Sequence, residues 1–138
     1  MSRLYLDANA TEPLRPEARA AVAAALEVAG NPSSVHAEGR AARRVLEEAR
    51  ETLAALVGLA PASVVFTAGG TEANATALAG FAAEGRRVLV GSTEHDSVLR
   101  AVPEAERIPV DRDGVIDLAA LATALADPRP AAVAVMLA

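Results

Sequence analysis

The chain of 138 residues has no cysteine, no lysine and no tryptophan, and only 2% of its residues are aromatic. Without cysteine it can form no disulfide, no thiolate metal site and no thiol nucleophile of its own. All thirteen basic residues are arginine, which in so alanine-rich a chain also reads as a compositional bias. A guanidinium stays protonated, however, and cannot take the place of a neutral primary amine in covalent chemistry. The scarcity of aromatics removes any stacking platform for single-stranded nucleic acid, and a net charge of -5 opposes a phosphate-backbone footprint. Small molecules or other proteins are the expected partners, with no nucleic acid. No apolar run reaches the ~20 residues of a membrane span, and Asp7 falls where a signal peptide would keep its apolar region. The expected location is the cytoplasm, with no membrane contact.

What is present suits a packed core, with 52% hydrophobic and 22% charged residues. Residues Met1 to Leu14 read as extended, with Pro13 and Pro16 bracketing a turn and Pro16 at a first helical position. A first helix runs from Pro16 to Val28 and stops at Gly30-Asn31-Pro32. A second is marked by Ala42, Val45, Leu46, Ala49, Leu53 and Leu56 at spacings of three and four, and Gly58 closes it. After Pro61 the period changes. Val64 to Thr67 reads as a strand, Ala68-Gly69-Gly70-Thr71-Glu72 as a glycine turn, and the alanine-rich stretch to Gly85 as a helix. Val88 to Val90 is a second strand, Glu94 to Val102 a short helix, Ile108 to Val110 a weak third strand, Asp117 to Ala126 a helix capped by Asp117, and Ala131 to Met136 a fourth strand. Strands alternating with helices imply a largely parallel sheet covered on both faces. Ending at an apolar strand without a covering helix, the chain reads as part of a longer protein.

Ligands of open α/β sheets bind where strand ends lead into helices, and two loops qualify. In the first, Gly69 and Gly70 allow a close backbone approach, and a helix beginning at Thr71 would aim free N–H groups, its dipole and a hydroxyl at one point, as a phosphate requires. The same residues also make an ordinary tight turn in which Thr71 is only an N-cap. Glu72 reads first as an acid complementing the helix dipole, second as a group holding the loop. In the second loop, Ser92 to Asp96, His95 follows the strand ending at Val90, beside the first loop if consecutive strands are neighbours. It can stack on a ring, move protons or cap the next helix. His36 is a weaker candidate in a helix-entry loop, and neither histidine has companions at metal-ligand spacing, so no metal is expected.

Together these segments resemble cysteine desulfurases of the NifS/IscS type, pyridoxal-phosphate enzymes related to class V aminotransferases. The likeness runs from Tyr5-Leu6-Asp7, Ala10-Thr11 and Pro13, similar to the family's opening strand and turn, through Gly30-Asn31-Pro32-Ser33-Ser34 with His36 and Gly39. It continues with Val65-Phe66-Thr67, Gly69-Gly70-Thr71-Glu72, Thr93-Glu94-His95 and Gly114-Val115-Ile116-Asp117. Each motif alone is weak, and their order in one chain carries the resemblance. It implies an α/β fold of fold type I, with a mostly parallel sheet flanked by helices. Residues 1–15 would belong with a small domain, and 16–138 would be the N-terminal part of the large cofactor-binding domain. It further implies pyridoxal 5'-phosphate as cofactor, with Gly70 and Thr71 binding its phosphate and His95, the one catalytic candidate, against its ring. The implied reaction takes sulfur from L-cysteine, leaving L-alanine and an enzyme persulfide for iron-sulfur cluster or thio-cofactor synthesis. A homodimer and a sulfur-acceptor or iron-sulfur scaffold protein are the implied partners. That chemistry needs a lysine for the cofactor and a cysteine for the sulfur, so this chain alone is expected to be inactive. Glu12, Asn74 and Ala75 stand where the family commonly has Thr, Asp and Asn. Two alternatives stay open: a small α/β protein binding a phosphometabolite or nucleotide without covalent chemistry, and a selenocysteine lyase or other class V enzyme.

Overall fold

The computed structural model describes residues 4–8 and 10–136, and the chain divides into two units, Met1–Val65 and Phe66–Ala138. In the first unit, helix α1 (Pro16–Leu26) begins with proline at its first turn, where a missing N–H costs nothing. Helix α2 (Ala37–Val57) starts at His36, whose side chain accepts from the Gly39 N–H, and ends at Gly58 in the left-handed conformation with φ of 70°. Gly39 is required by close approach, since a Cβ there would run into the carbonyl oxygen and side chain of Ser34. A 3₁₀ turn, Pro61–Ser63, packs on α2, and the Arg50 guanidinium donates to the Val64 carbonyl.

Among the described residues, neither the opening segment nor the expected strand Val64 to Thr67 joins a sheet. Of the opening segment expected as extended from Met1 to Leu14, residues 1–3 and 9 lie outside those described. The remainder turns at Asp7, whose carbonyl accepts from the Ala10 N–H at 3.1 Å, while the Tyr5 hydroxyl donates to the carbonyls of Asp7 and Thr11. Val64 has extended dihedrals (φ -96°, ψ 121°), yet Val64 to Thr67 joins no ladder. A strand is defined by its partner, and the partner expected from chain order pairs instead with two later strands.

That partner is β1 (Arg87–Gly91), the centre of a three-stranded sheet in the order β2-β1-β3. Both β2 (Glu106–Ile108) and β3 (Ala131–Ala134) pair with it in parallel, with Leu89 opposite Glu106 and Val133. Four of its five residues are buried, and Leu89 and Val90 are fully so. A continuous apolar run of this kind is what a strand covered on both faces requires. Val88 and Val90 share one face and pack with Leu78 of α3 (Gly70–Ala83), with Val98 of α4 (Asp96–Leu99), and with Val102. By the period of two, Leu89 points to the other face. Helix α5 (Leu118–Leu125) links β2 to β3, and as expected Asp117 caps it, accepting from the N–H groups of Ala119 and Ala120 at 2.9 and 3.0 Å.

At the opposite end of the strands from their carboxyl loops, the half-buried Arg87 bonds Glu106 at 2.5 Å and the Ala124 carbonyl at 2.7 Å. Asp127 is held well below the usual carboxylate range, first by the Arg129 side chain at 2.6 Å and then by the Arg129 backbone N–H at 2.9 Å, with the Arg87 charge adding to both.

Leu89→Ala should lower stability by about 2–5 kcal/mol, the range for emptying a packed core site. Asp117→Ala should cost about 1 kcal/mol, most of it restored by Asp117→Ser. Denaturant midpoints of the three variants check the ranking. Because Asp127 is depressed, its pairing is fully present above the ordinary aspartate value of about 3.9 and is lost only as pH falls further. The stability difference between the wild type and Asp127→Asn should therefore hold constant down to about pH 4 and shrink below it.

Candidate functional site

Helix α3 begins one residue earlier than expected: Gly70 is its first residue and Gly69 its N-cap, so Thr71 sits in the second helical position and is not the cap. A glycine cap has no side chain to offer, and no side chain caps this helix end. Among the described residues, the N–H groups of Gly70, Thr71 and Glu72 have no hydrogen-bond partner, nor does the Thr71 hydroxyl. The first intrahelical bond runs from the Ala73 N–H to the Gly69 carbonyl at 3.1 Å. These are the orphan donors that every helix start presents, here left exposed with the positive end of the dipole. A Cβ built on Gly69 or Gly70 meets nothing within 4 Å. The glycines are therefore not demanded by the chain's own packing, and the space before them is open.

The loop is held from within. Glu72 does more than complement the dipole: its Oε2 accepts from the Ala68 N–H at 2.6 Å, reaching back across the turn as a capping-box acid does. The Thr67 hydroxyl donates to the Gly69 carbonyl at 3.1 Å.

His95 is the N-cap of α4, and its Nδ1 accepts from the Ser97 N–H at 3.1 Å. Of the three roles open in the sequence, helix capping is therefore occupied, through one nitrogen only. The ring is exposed, and among the described residues Nε2 has no hydrogen-bond partner. A groove of about 300 Å³ is lined by Thr71 and Ala75 from α3 and by His95, Asp96, Ser97 and Arg100. Thr71 and His95 thus do lie together, but not because their strands are neighbours. The packing of α3 on α4 over Leu78, Val98 and Val102 brings them to one groove. Arg100 also lines it, paired with Asp96 one turn earlier at 2.8 Å.

His36 belongs to the other unit, where it caps α2 and meets the Glu38 carboxylate at 2.9 Å. Glu38 is depressed first by its backbone hydrogen bond and then by His36. This is the helix-entry role, with no second functional group drawn to it.

Sequence reasoning gave no role to Asn74 and Ser97, which hydrogen-bond each other at 2.9 Å beside His95. A signal for the first was present, since Asn74 lies three residues after Thr71 and so shares its helical face. It also passed over Glu94, which turns inward, only 8% exposed, with Oε1 lacking a partner among the described residues. Glu94 lines a separate cavity of about 450 Å³ with Gly91, Ile116 and Met136.

The sequence model of the family described as Aminotransferase class-V matches residues 4–138. The chain is 46% identical to a cysteine desulfurase of Cereibacter sphaeroides over 149 aligned residues, which cover 99% of this chain and 38% of that protein. It is 40% identical to the cysteine desulfurase IscS of Dictyoglomus turgidum, covering 83% of this chain and 32% of that one. Among solved structures, the NifS-like protein of Rickettsia africae superposes with a TM-score of 0.76 at 30% identity, over 89% of this chain and 36% of that one. A second NifS-like protein superposes with a TM-score of 0.79 at 28% identity, over 96% and 39%. The chain spans about a third to two fifths of the length of these relatives. Its parallel sheet and flanking helices accordingly have the α/β arrangement of fold type I, and the chain belongs to the class-V aminotransferase family.

Proposed function

We propose that this chain is the phosphate-binding and ring-facing part of a pyridoxal-phosphate cysteine desulfurase. The observation that carries the reading is the open start of α3: unpaired N–H groups at Gly70 to Glu72 and an unpaired Thr71 hydroxyl, sharing one groove with His95. Membership of a family that in general uses pyridoxal phosphate supports it.

The residues fit the cofactor's phosphate end. A dianionic phosphate needs several donors in a small space and a positive potential, and the start of α3 offers backbone N–H groups, a hydroxyl and the dipole with no side chain in competition. When bound, the cofactor supplies the electron sink that the carbon chemistry needs. Gly70 and Thr71 would hold the phosphate by hydrogen bonds, and Glu72 keeps their loop in shape through Ala68. His95 would lie against the ring and restrict its movement, and Nε2 is the nitrogen that could hold or pass a proton at the substrate.

The reaction is removal of sulfur from L-cysteine, giving L-alanine and an enzyme persulfide for iron-sulfur cluster or thio-cofactor synthesis. Since the chain has no lysine and no cysteine, the covalent hold on the cofactor and the sulfur-accepting thiol come from outside these 138 residues, and the chain alone is inactive. A homodimer, a sulfur-acceptor or scaffold protein, a cytoplasmic setting, and residues 1–15 and 16–138 belonging with a small and a large domain complete the reading. Among the described residues no helix is long and apolar enough to cross a membrane.

Thr71→Ala should weaken pyridoxal-phosphate binding by about 1–3 kcal/mol, the range for one hydrogen bond to a charged group, without abolishing it. Equilibrium dialysis measures this, and an unchanged dissociation constant would remove Thr71 from the site. His95→Ala should shift the bound cofactor's visible absorbance, and His95→Phe should recover much of the binding. A spectrum and affinity untouched by His95→Ala would leave the imidazole as a helix cap alone. Borohydride reduction of the isolated chain with pyridoxal phosphate, followed by mass mapping, should find no adduct on an internal residue.

A further inference from the structure

Three groups beside the groove form one hydrogen-bonded line. The Asn74 amide donates from Nδ2 to the Ser97 hydroxyl at 2.9 Å, that hydroxyl meets His95 Nδ1 at 2.8 Å, and the Ser97 backbone N–H reaches the same Nδ1 at 3.1 Å. The last bond sets the direction of the others, because a backbone N–H can only donate. Nδ1 must present its lone pair, and so it carries no proton. The Ser97 hydroxyl, facing that same lone pair, must then donate to it. Its own oxygen is left to accept, which is what the Asn74 amide hydrogen supplies. Each group has one polarity consistent with its neighbours, and a neutral imidazole with a bare Nδ1 has its proton on Nε2.

Position reinforces polarity. Asn74 and Ser97 are half-buried while His95 is exposed, so water competes least where the line is anchored. Asn74 stands on α3, one turn beyond Thr71, and Ser97 on α4, and these helices are packed through Leu78, Val98 and Val102. The line therefore ties the His95 ring to the helix whose start offers the phosphate donors.

We propose that Asn74 and Ser97 are positioning residues that hold His95 as the Nε2–H tautomer and fix its ring relative to Thr71. Nδ1 is occupied and cannot accept a proton from a ligand, so any donor or proton-exchange role falls to Nε2. The functional meaning rests on the reading of His95 as facing the cofactor ring, but the tautomer is a property of the chain without cofactor, so the two stand or fall by separate measurements.

The test is long-range ¹H–¹⁵N correlation of the imidazoles in the ¹⁵N-labelled full chain at about pH 8.5, above the ordinary histidine value of about 6.5. The chain has two histidines, and a His36→Gln sample identifies the His95 signals. The expected wild-type result is an unprotonated, pyridine-like Nδ1 and a protonated, pyrrole-like Nε2. Ser97→Ala should raise the Nδ1–H share about fivefold, the equilibrium weight of one ordinary net hydrogen bond, and Ser97→Thr, which keeps the hydroxyl, should restore the wild-type pattern. Asn74→Asp should raise it too, because a carboxylate accepts the serine proton and turns the hydroxyl oxygen towards an Nδ1–H donor. Amide dispersion reports whether each variant is folded, and if Ser97→Ala is not, the wild-type and Asn74→Asp spectra decide. Averaged or Nδ1–H signals in the wild type, or a folded Ser97→Ala or Asn74→Asp chain with an unchanged pattern, would overturn the proposal.

Discussion

Everything at the site hangs on the burial of β1. With β2 on one edge, β3 on the other and α3 and α4 over the Val88 and Val90 face, this strand has no exposed polar edge and no freedom of register. A slip of one residue would send Val88 and Val90 to the face that Leu89 occupies. Because its residues cannot shift, the loop leaving its carboxyl end, which carries His95, is delivered to a defined place. The same apolar residues that stabilise the strand, Val88 and Val90, form the floor on which α3 and α4 meet.

The two helix starts in the groove are satisfied in opposite ways. Helix α4 is capped by His95, with Ser97 and Asn74 behind it. Helix α3 has a glycine cap and leaves its first donors unpaired. Orphan backbone donors in contact with solvent lose little by waiting for a ligand, whereas the same donors inside a core would cost a full desolvation penalty. An exposed, uncapped start beside an ordered imidazole combines adjustable positive potential with a rigid planar group. That combination suits an anion joined to a ring.

If the proposed function holds, the missing lysine and cysteine divide the chemistry along the sequence. On the proposed reading, binding and orientation would use groups that this chain has in place, namely backbone N–H donors, a threonine hydroxyl and an imidazole. Covalent capture and sulfur acceptance require a neutral amine and a thiolate, and no rearrangement of arginine, serine or histidine supplies them here. The relatives, of which this chain spans about a third to two fifths, have the additional length for such groups.

Local chemistry made the helices and their caps legible in the sequence. Pro16, Gly58 and Asp117 act within one turn of themselves, and their effects appear where the pattern put them. Gly70, Thr71 and His95 were equally visible as residues where an apolar run leads into a helix. Tertiary structure alone decided what depends on partners. Val64 to Thr67 has strand composition but no ladder, because composition cannot say that both edges of β1 are already filled. It likewise decided that Thr71 and His95 meet through packed helices, and that Glu72 turns back to Ala68. The link from Asn74 to Ser97 was the least legible, since it joins side chains 23 residues apart, and no local rule of sequence orders a hydrogen bond across that gap.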